Sequence, residues 1–355
     1  MLTAVVELTE NCNLGCTFCL RPSFKKENMT LNVLQKTIES LLKYEKRKID
    51  FIWHGGEPLI LGLEFFKKII VFQKRYNINK IEVINSVQTN ATLLSKKFKD
   101  FFYKNNFSVG TSIQGPKTIH NLTRINLAGN GSFERVVESI KSMKDKPSAI
   151  AVLTRDIFGK EKETYYTLKK YAKGARISEY FPGGKNPGKV KDKMMPTDLE
   201  YGKSMIKFYK IWKKDDNPID LRPITEIISS FIRGKSGGCI YSQEICNFNI
   251  IGIKENGDFY TCLRAAGRKE FFLGNILNSN PLSKFNKTAK RDYKKRIAAL
   301  KKAGCTKCKF FNQCGGGCPQ ESFQLYGDYN HKTYYCDGRK MLFKMINEDI
   351  MRLKK

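Results

Sequence analysis

Histidine is nearly absent: His54, His120 and His331 are the three in 355 residues. They are too few and too scattered to build a histidine metal site. No apolar run is long enough to span a bilayer, and no basic segment followed by an apolar stretch and a cleavage site opens the chain. No membrane association is expected, and a cytoplasmic address is. Acidic residues are the minority, 34 against 64 Lys and Arg, which leaves a formal net charge of +30. That balance suits an acidic or polyanionic partner. The lysines are spread over every helix-like segment rather than gathered in one block, so solvated faces are the expectation and no nucleic-acid partner is predicted. Hydrophobic content of 41% and this length suit a globular chain with a full core and room for two domains.

Cysteine is plentiful but odd in number, at eleven. An odd count in a cytosolic chain argues against disulfides and for metal ligation. The run Cys12-Asn-Leu-Gly-Cys16-Thr-Phe-Cys19 directly follows the apolar segment Leu2 to Leu8. Three thiolates on one short loop can hold three corners of a four-iron cluster, leaving the fourth iron open for chemistry. A zinc knuckle would close with a fourth ligand, and no further Cys or His lies nearby.

Up to about residue 181, strand-like and helix-like segments alternate. Apolar β-rich runs lie near 2 to 9, 49 to 54, 81 to 88, 107 to 113, 148 to 154 and 175 to 181, separated by amphipathic stretches such as Leu31, Leu34, Ile38, Leu41 and Leu42. Six such repeats predict an α/β fold with a parallel sheet curled into a partial barrel. The polar motifs fall just past the ends of these runs, where parallel barrels place their chemistry. They are Gly55-Gly56-Glu57-Pro58, Gln88-Thr89-Asn90, Ser112-Ile-Gln114-Gly-Pro, and Arg124 in His120-x3-Arg124.

Taken together, these motifs resemble the radical S-adenosylmethionine (radical SAM) superfamily. The resemblance implies that Cys12, Cys16 and Cys19 hold a four-iron cluster whose open iron binds SAM and cleaves it to a 5'-deoxyadenosyl radical. It implies that Phe18 lies near the adenine and that the Gly55, Gly56, Glu57, Pro58 segment binds the methionine amino group. Gln88, Asn90, Ser112 and Arg124 are implied at the ribose and carboxylate of SAM. Gln114 departs from the family, which usually has Asp there.

Residues 182 to 197 read as a Gly, Lys and Pro connector, and helices are expected over about 198 to 214 and 224 to 233, with Met205, Ile206, Phe208, Tyr209 and Trp212 as core. Beyond them, ten residues separate Cys246 from Gly257 and four separate Gly257 from Cys262; Cys305-x2-Cys308-x5-Cys314-x3-Cys318 and Cys336 follow. Ile251 to Lys254 and Asp258 to Thr261 flank Glu255-Asn-Gly, a strong hairpin signal. This pattern resembles the SPASM domain, which carries two auxiliary four-iron clusters. The resemblance implies Cys239, Cys246, Cys262 and Cys318 at one and Cys305, Cys308, Cys314 and Cys336 at the other. Three [4Fe-4S] clusters then use every cysteine. The implied domains are 1-185 (radical SAM partial barrel), 186-238 (bridging helices), 239-340 (SPASM) and 341-355 (end of a C-terminal helix, expected to pack on the barrel).

With no cysteine left to return a hydrogen atom, net oxidation is favoured over epimerisation: the radical takes a hydrogen, a bond forms, and an auxiliary cluster accepts the surplus electron. The expected activity is oxidative modification, foremost cross-linking, of a ribosomally synthesised peptide. The alternative is an anaerobic sulfatase maturase that makes formylglycine. Relatives of that kind carry an Asp after the cysteine matching Cys262, whereas here Leu263 and Arg264 follow, and neither is a general base, which leaves another acid such as Asp258 to substitute. A non-enzyme cluster protein would leave the open iron site without purpose. Expected partners are a peptide or protein substrate, a reductase, flavodoxin or ferredoxin as electron donor, and a separate leader-binding protein, because no winged-helix element precedes the first strand. No cobalamin domain precedes it either.

Overall fold

The computed structural model describes residues 1–19, 27–181, 193–235, 239 and 248–353. Its frame is a series of strand and helix pairs. They are β1 (Leu2–Glu7), α1 (Leu31–Tyr44), β2 (Lys48–His54), α2 (Gly62–Tyr76), β3 (Glu82–Thr89), α3 (Lys96–Lys104) and β4 (Phe107–Ser112). Then come α4 (Lys117–Thr123), α5 (Phe133–Lys141), β5 (Ser148–Leu153), α6 (Glu161–Tyr171) and β6 (Gly174–Glu179). These are the six strands read from the sequence, each within two residues at its start. They pair in parallel in chain order.

Next are α7 (Asp198–Lys213), β7 (Asp220–Arg222), α8 (Ile224–Arg233), β8 (Ile250–Ile253), β9 (Asp258–Tyr260) and β10 (Phe272–Asn275). The chain closes with α9 (Phe285–Lys302), α10 (Phe311–Cys314), α11 (Pro319–Tyr326) and α12 (Cys336–Leu353). The predicted hairpin is β8–β9. It does not stand apart from the barrel, because β8 pairs in parallel with β1 and β10 pairs with β9. One ten-stranded sheet results, in the order β10-β9-β8-β1-β2-β3-β4-β5-β6-β7. β1 would otherwise be an edge strand with unpaired backbone groups, and β8 covers it while burying Ile251 and Ile253.

Helix spacing explains the core. In α1, Thr30 caps the first turn by accepting from the Val33 amide, and Val33, Leu34, Ile38, Leu41 and Leu42 are buried. Leu31, grouped with the apolar stripe in the sequence, is instead the first helical residue and 45% exposed. Trp53 stacks on Phe51 at 5.1 Å between ring centres, and its indole N–H donates to buried Asn85 at 2.8 Å. On α7, Met205, Phe208 and Tyr209 are buried as expected, with Ile206 and Trp212 packed against them.

α12 lies along α7 so closely that a Cβ on Gly202 would sit 2.5 Å from the Gly338 Cα. Glycine at this crossing lets the two backbones meet. The Asp198 carboxylate accepts from the amides of Asp337 and Gly338 at 2.8 and 2.7 Å, which caps α12 and fixes Cys336 at its first turn. Among the described residues no helix is long and apolar enough to cross a membrane.

Candidate functional site

The loop carrying Cys12, Cys16 and Cys19 leaves β1 at the C-terminal rim of the sheet and is stitched to its neighbours through backbone. The Gly56 amide donates to the Thr9 carbonyl and the Glu57 amide to the Asn11 carbonyl, both at 2.8 Å. A Cβ on Gly56 would sit 2.2 Å from the Asn11 oxygen, so the approach requires glycine. On the other side, Gly15 donates to Ile125 at 2.8 Å and Thr17 to Thr123 at 2.9 Å. Asn13, inside the cysteine run, donates to Thr92 at 2.8 Å and accepts from Asn90 at 2.9 Å. The sequence reading missed Asn13 and Thr92. The signal available was the amide at the second position of the Cys12–Cys16 interval.

Burial pushes the Cys12 thiol up to about 11, with Glu57, Cys16 and Cys19 adding repulsion. Cys16 is raised by burial and partly relieved by Arg124. Three thiols held together, with Cys12 and Cys16 pushed toward the neutral form, make a site that ionises when a cation enters it. Arg124, 7% exposed, lies among these sulfurs with its guanidinium 4.9 Å over the Phe18 ring. It donates to the Gln114 side chain at 3.4 Å, while its Nε is buried with no partner among the described residues. The donor set therefore fits a thiolate-bound iron cluster, and the unmet guanidinium nitrogen fits an anionic group beside it.

Gln114, standing where the family usually has an acid, is occupied by β5: its Oε1 accepts from the Val152 amide at 3.2 Å and its amide donates to the Val152 carbonyl. It orients Arg124 rather than offering a charge. His120 is fully buried, its Nε2 3.1 Å from the Ser132 hydroxyl, and burial pushes it down to about 3. It is a neutral structural residue. Ser112 ends β4 half-buried at the rim, and the Gln88 Oε1 lies over Gly110.

Glu57 faces inward. Its carboxylate accepts from the amides of Leu59 (3.0 Å) and Asn90 (2.6 Å) and from the Thr89 hydroxyl (2.7 Å), tying the Gly-Gly-Glu-Pro turn to the end of β3. The ligand capacity of this turn thus lies in its backbone. Burial pushes this carboxyl up to about 7. The folded chain keeps that proton at a pH where an unfolded glutamate has released it, so the contribution to stability falls as pH rises from 4.5 to about 7. Glu57→Gln is expected to remove this slope and to lower stability by about 2 kcal/mol, because an amide –NH2 must then face the Asn90 N–H. Urea unfolding of both proteins on either side of that window checks it.

The second cysteine region gathers in two places. Burial pushes Cys262 up to about 12, with further repulsion from Cys239 and Cys318 beside it. Those three are the described members of the first implied auxiliary set; Cys246 lies outside the described residues. Cys305, Cys308, Cys314 and Cys336 line one cavity, the four of the second set. Arg339 reaches the Cys314 sulfur at 3.9 Å.

Several carboxylates near the rim are engaged, while the Asp156 Oδ2 is buried with no described partner. Glu7, Glu10 and Glu255 surround Lys254, Glu179 is bound to Arg339 and Glu226 to Arg176. Leu263 occupies the place after Cys262.

Comparison with known proteins gives consistent likenesses. Residues 6–165 match the Radical SAM superfamily. A cysteine-type anaerobic sulfatase-maturating enzyme of Clostridium perfringens is 27% identical over 95% of this chain and 93% of its own length. A serine-type enzyme of Bacteroides thetaiotaomicron is 25% identical over 94% and 86%. Among solved structures, native anSMEcpe with bound AdoMet superposes with a TM-score of 0.86 at 26% identity, covering 99% of both chains. Streptococcus suis SuiB bound to S-adenosylmethionine superposes at 0.63 with 15% identity over 94% of this chain and 76% of that one, a likeness of fold alone.

Proposed function

We propose, from the match of residues 6–165 to the Radical SAM superfamily, that this chain is a radical SAM enzyme that oxidises a peptide by removing two hydrogens from its side chains, forming a cross-link. Cys12, Cys16 and Cys19 would hold the cluster that supplies the electron for SAM cleavage, and the eight remaining cysteines would hold two clusters that supply a one-electron acceptor. The chain's own residues set the stage. Asn13, Asn90 and Thr92 fix the cysteine loop, and the backbone of Gly55 to Pro58 lines the pocket. Gln114 aims Arg124 at an anionic group, and Phe18 backs the guanidinium. Ser112 and Gln88 offer polar groups to a ribose at the same rim.

One observation carries the choice of product. Formation of an aldehyde from Cys or Ser calls for a base that takes the substrate proton. Glu7, Glu10 and Glu255 are held by Lys254, Glu179 and Glu226 by guanidinium groups, Glu57 by backbone amides and Asp258 by the Asn275 side-chain amide, and Leu263 supplies none, which leaves Asp156 as the acid near the rim with a buried oxygen that has no described partner. In cross-linking, one hydrogen would leave as an atom to the deoxyadenosyl radical and the other as a proton to solvent, its electron passing to the acceptor centre, so the step makes no demand on residue 263.

A second reading, formylglycine formation on a sulfatase, is favoured by the 27% identity over 95% of the chain and the TM-score of 0.86. Peptide substrates enter both readings through relatives: anSMEcpe has been solved with Kp18Cys peptide and SuiB with precursor peptide SuiA. A reductase, flavodoxin or ferredoxin would supply electrons, and a separate protein would present a leader.

Mass spectrometry separates the readings. The short peptide encoded beside this gene, co-expressed anaerobically with the protein, is expected to lose two hydrogens and to give no adduct with a hydrazide; Cys16→Ala is expected to leave it unchanged. An unaltered peptide together with a hydrazide-reactive sulfatase peptide selects the second reading.

A further inference from the structure

Lysines spread evenly along the sequence become a single face on α9. Between Lys284 and Lys309 the chain has eleven Lys and Arg against one acid, and all but Arg296 of the eleven are exposed. The buried side of α9 holds Phe285, Ala289, Asp292, Arg296, Ala299 and Leu300. Helical spacing therefore turns Lys287, Lys290, Lys294 and Lys301 outward together, flanked by Arg291 and Lys302. The acids that meet this helix, Asp292 and Glu270, both engage Arg291: Asp292 through its carboxylate at 2.9 Å and Glu270 through its carbonyl at 2.7 Å. The rest of the face has no described neutralising partner.

This face runs into the four-cysteine cavity. α9 ends at Lys302, and the next two residues, Ala303 and Gly304, both exposed, form part of the wall together with Cys305, Cys308 and exposed Lys332. The cavity thus meets the surface where positive charge is densest. It shares no residue with the rim carrying Cys12, Glu57, Asn90 and Arg124. A leader peptide must bring a side chain to that rim, whereas an electron has only to reach the four cysteines.

We propose that the outer face of α9 and the rim of the Cys305, Cys308, Cys314, Cys336 cavity form the docking surface for an acidic one-electron carrier protein. The assignment rests on the reading above that these cysteines hold an iron-sulfur cluster. One electron passes from that centre, reduced by the surplus electron of the peptide oxidation, to the oxidised carrier, which is reduced by one equivalent; no bond is made or broken, and transfer from the reduced carrier back to the centre reads the same contact. Charge complementarity steers the encounter and makes it sensitive to salt.

The test uses the anaerobically reconstituted full chain and an acidic flavodoxin as probe. Titration calorimetry compares wild type, Lys290→Glu/Lys294→Glu/Lys301→Glu, and a control with the same charge change elsewhere, Lys68→Glu/Lys97→Glu/Lys104→Glu. At low salt the α9 variant is expected to bind at least about tenfold more weakly and the control within about twofold of wild type, with both differences shrinking at high salt. Reduction of the cluster absorbance by reduced flavodoxin should slow in parallel, while reduction by dithionite stays unchanged. Absence of wild-type binding, equal losses in both variants, binding without reduction of the absorbance, or an RNA hairpin bound as tightly as flavodoxin overturns the assignment. A protein that binds and accepts electrons yet leaves every peptide unaltered overturns the proposed function and leaves the docking surface standing.

Discussion

Arg339→Met is expected to lower the free energy of unfolding by about 3–5 kcal/mol, the cost of leaving buried carboxylates without their cation. Arg339 is 1% exposed and grips Glu179 through two hydrogen bonds, Nε to Oε1 at 2.8 Å and Nη2 to Oε2 at 2.5 Å. A second buried carboxylate, Glu321, stands 3.8 Å from the same nitrogen. Glu321 is raised by burial although Arg339 pulls it down, and it accepts from the Thr333 hydroxyl and the Tyr334 amide. Removing the guanidinium strands both acids where water cannot reach them. Anaerobic urea unfolding should show a lower midpoint at an unchanged slope. The double variant Glu179→Leu/Arg339→Met should recover part of the loss, because two apolar groups replace the pair together. A single-variant loss below about 1 kcal/mol would mean that water already reaches the pair.

The position of this pair explains the size of the effect. Glu179 is the last residue of β6 and Arg339 lies in the first turns of α12, so the contact ties the rim of the sheet to the helix that begins at Cys336. The same guanidinium touches the Cys314 sulfur. Beside it, Tyr335 donates to the Tyr180 carbonyl at 2.7 Å and packs on Tyr201. Loss of Arg339 therefore loosens the wall of the four-cysteine cavity as well as the sheet edge.

Much of this could be read in the chain and some of it could not, for reasons that are physical. The first six strands are short β-rich runs in which burial largely alternates between neighbouring residues, so they were visible. The β8–β9 hairpin announced itself through Glu255-Asn256-Gly257, and the cysteine sets through spacing. The pairing of β8 with β1 left no local mark: Thr3 opposes Ile250, and nothing in either segment names the other. The same holds for Glu179 and Arg339, 160 residues apart.

α9 was not assigned because its buried side is only partly apolar, with Asp292 and Arg296 filling places that a periodicity reading gives to Leu or Ile. Arg296 earns its burial by donating to the carbonyls of His331 and Gly316, at 2.6 and 3.0 Å. The motif places Glu57 in the right turn, but the inward direction of its carboxylate depends on Thr89 and Asn90 at the end of the next strand, 32 and 33 residues on.

The two kinds of cysteine site lead to opposite expectations for two single substitutions. Cys16→Ala deletes one of three thiols around Arg124 and leaves two where three are needed, so formation of 5'-deoxyadenosine should drop to background. Cys308→Ala deletes one of four thiols lining the second cavity, which shares no residue with the rim. SAM cleavage should then persist while the modified peptide is lost, because hydrogen abstraction needs only the first site and completion of the oxidation needs an acceptor. Cys16→Ala should lose about four of roughly twelve iron atoms per chain, whereas Cys308→Ala keeps three thiolates and should lose fewer, so iron content checks what each substitution did. Chromatography of 5'-deoxyadenosine alongside the peptide mass reads the difference. Iron near four atoms per chain in the unsubstituted protein, or full peptide conversion by Cys308→Ala, removes the auxiliary clusters from the reaction and with them the reason for net oxidation.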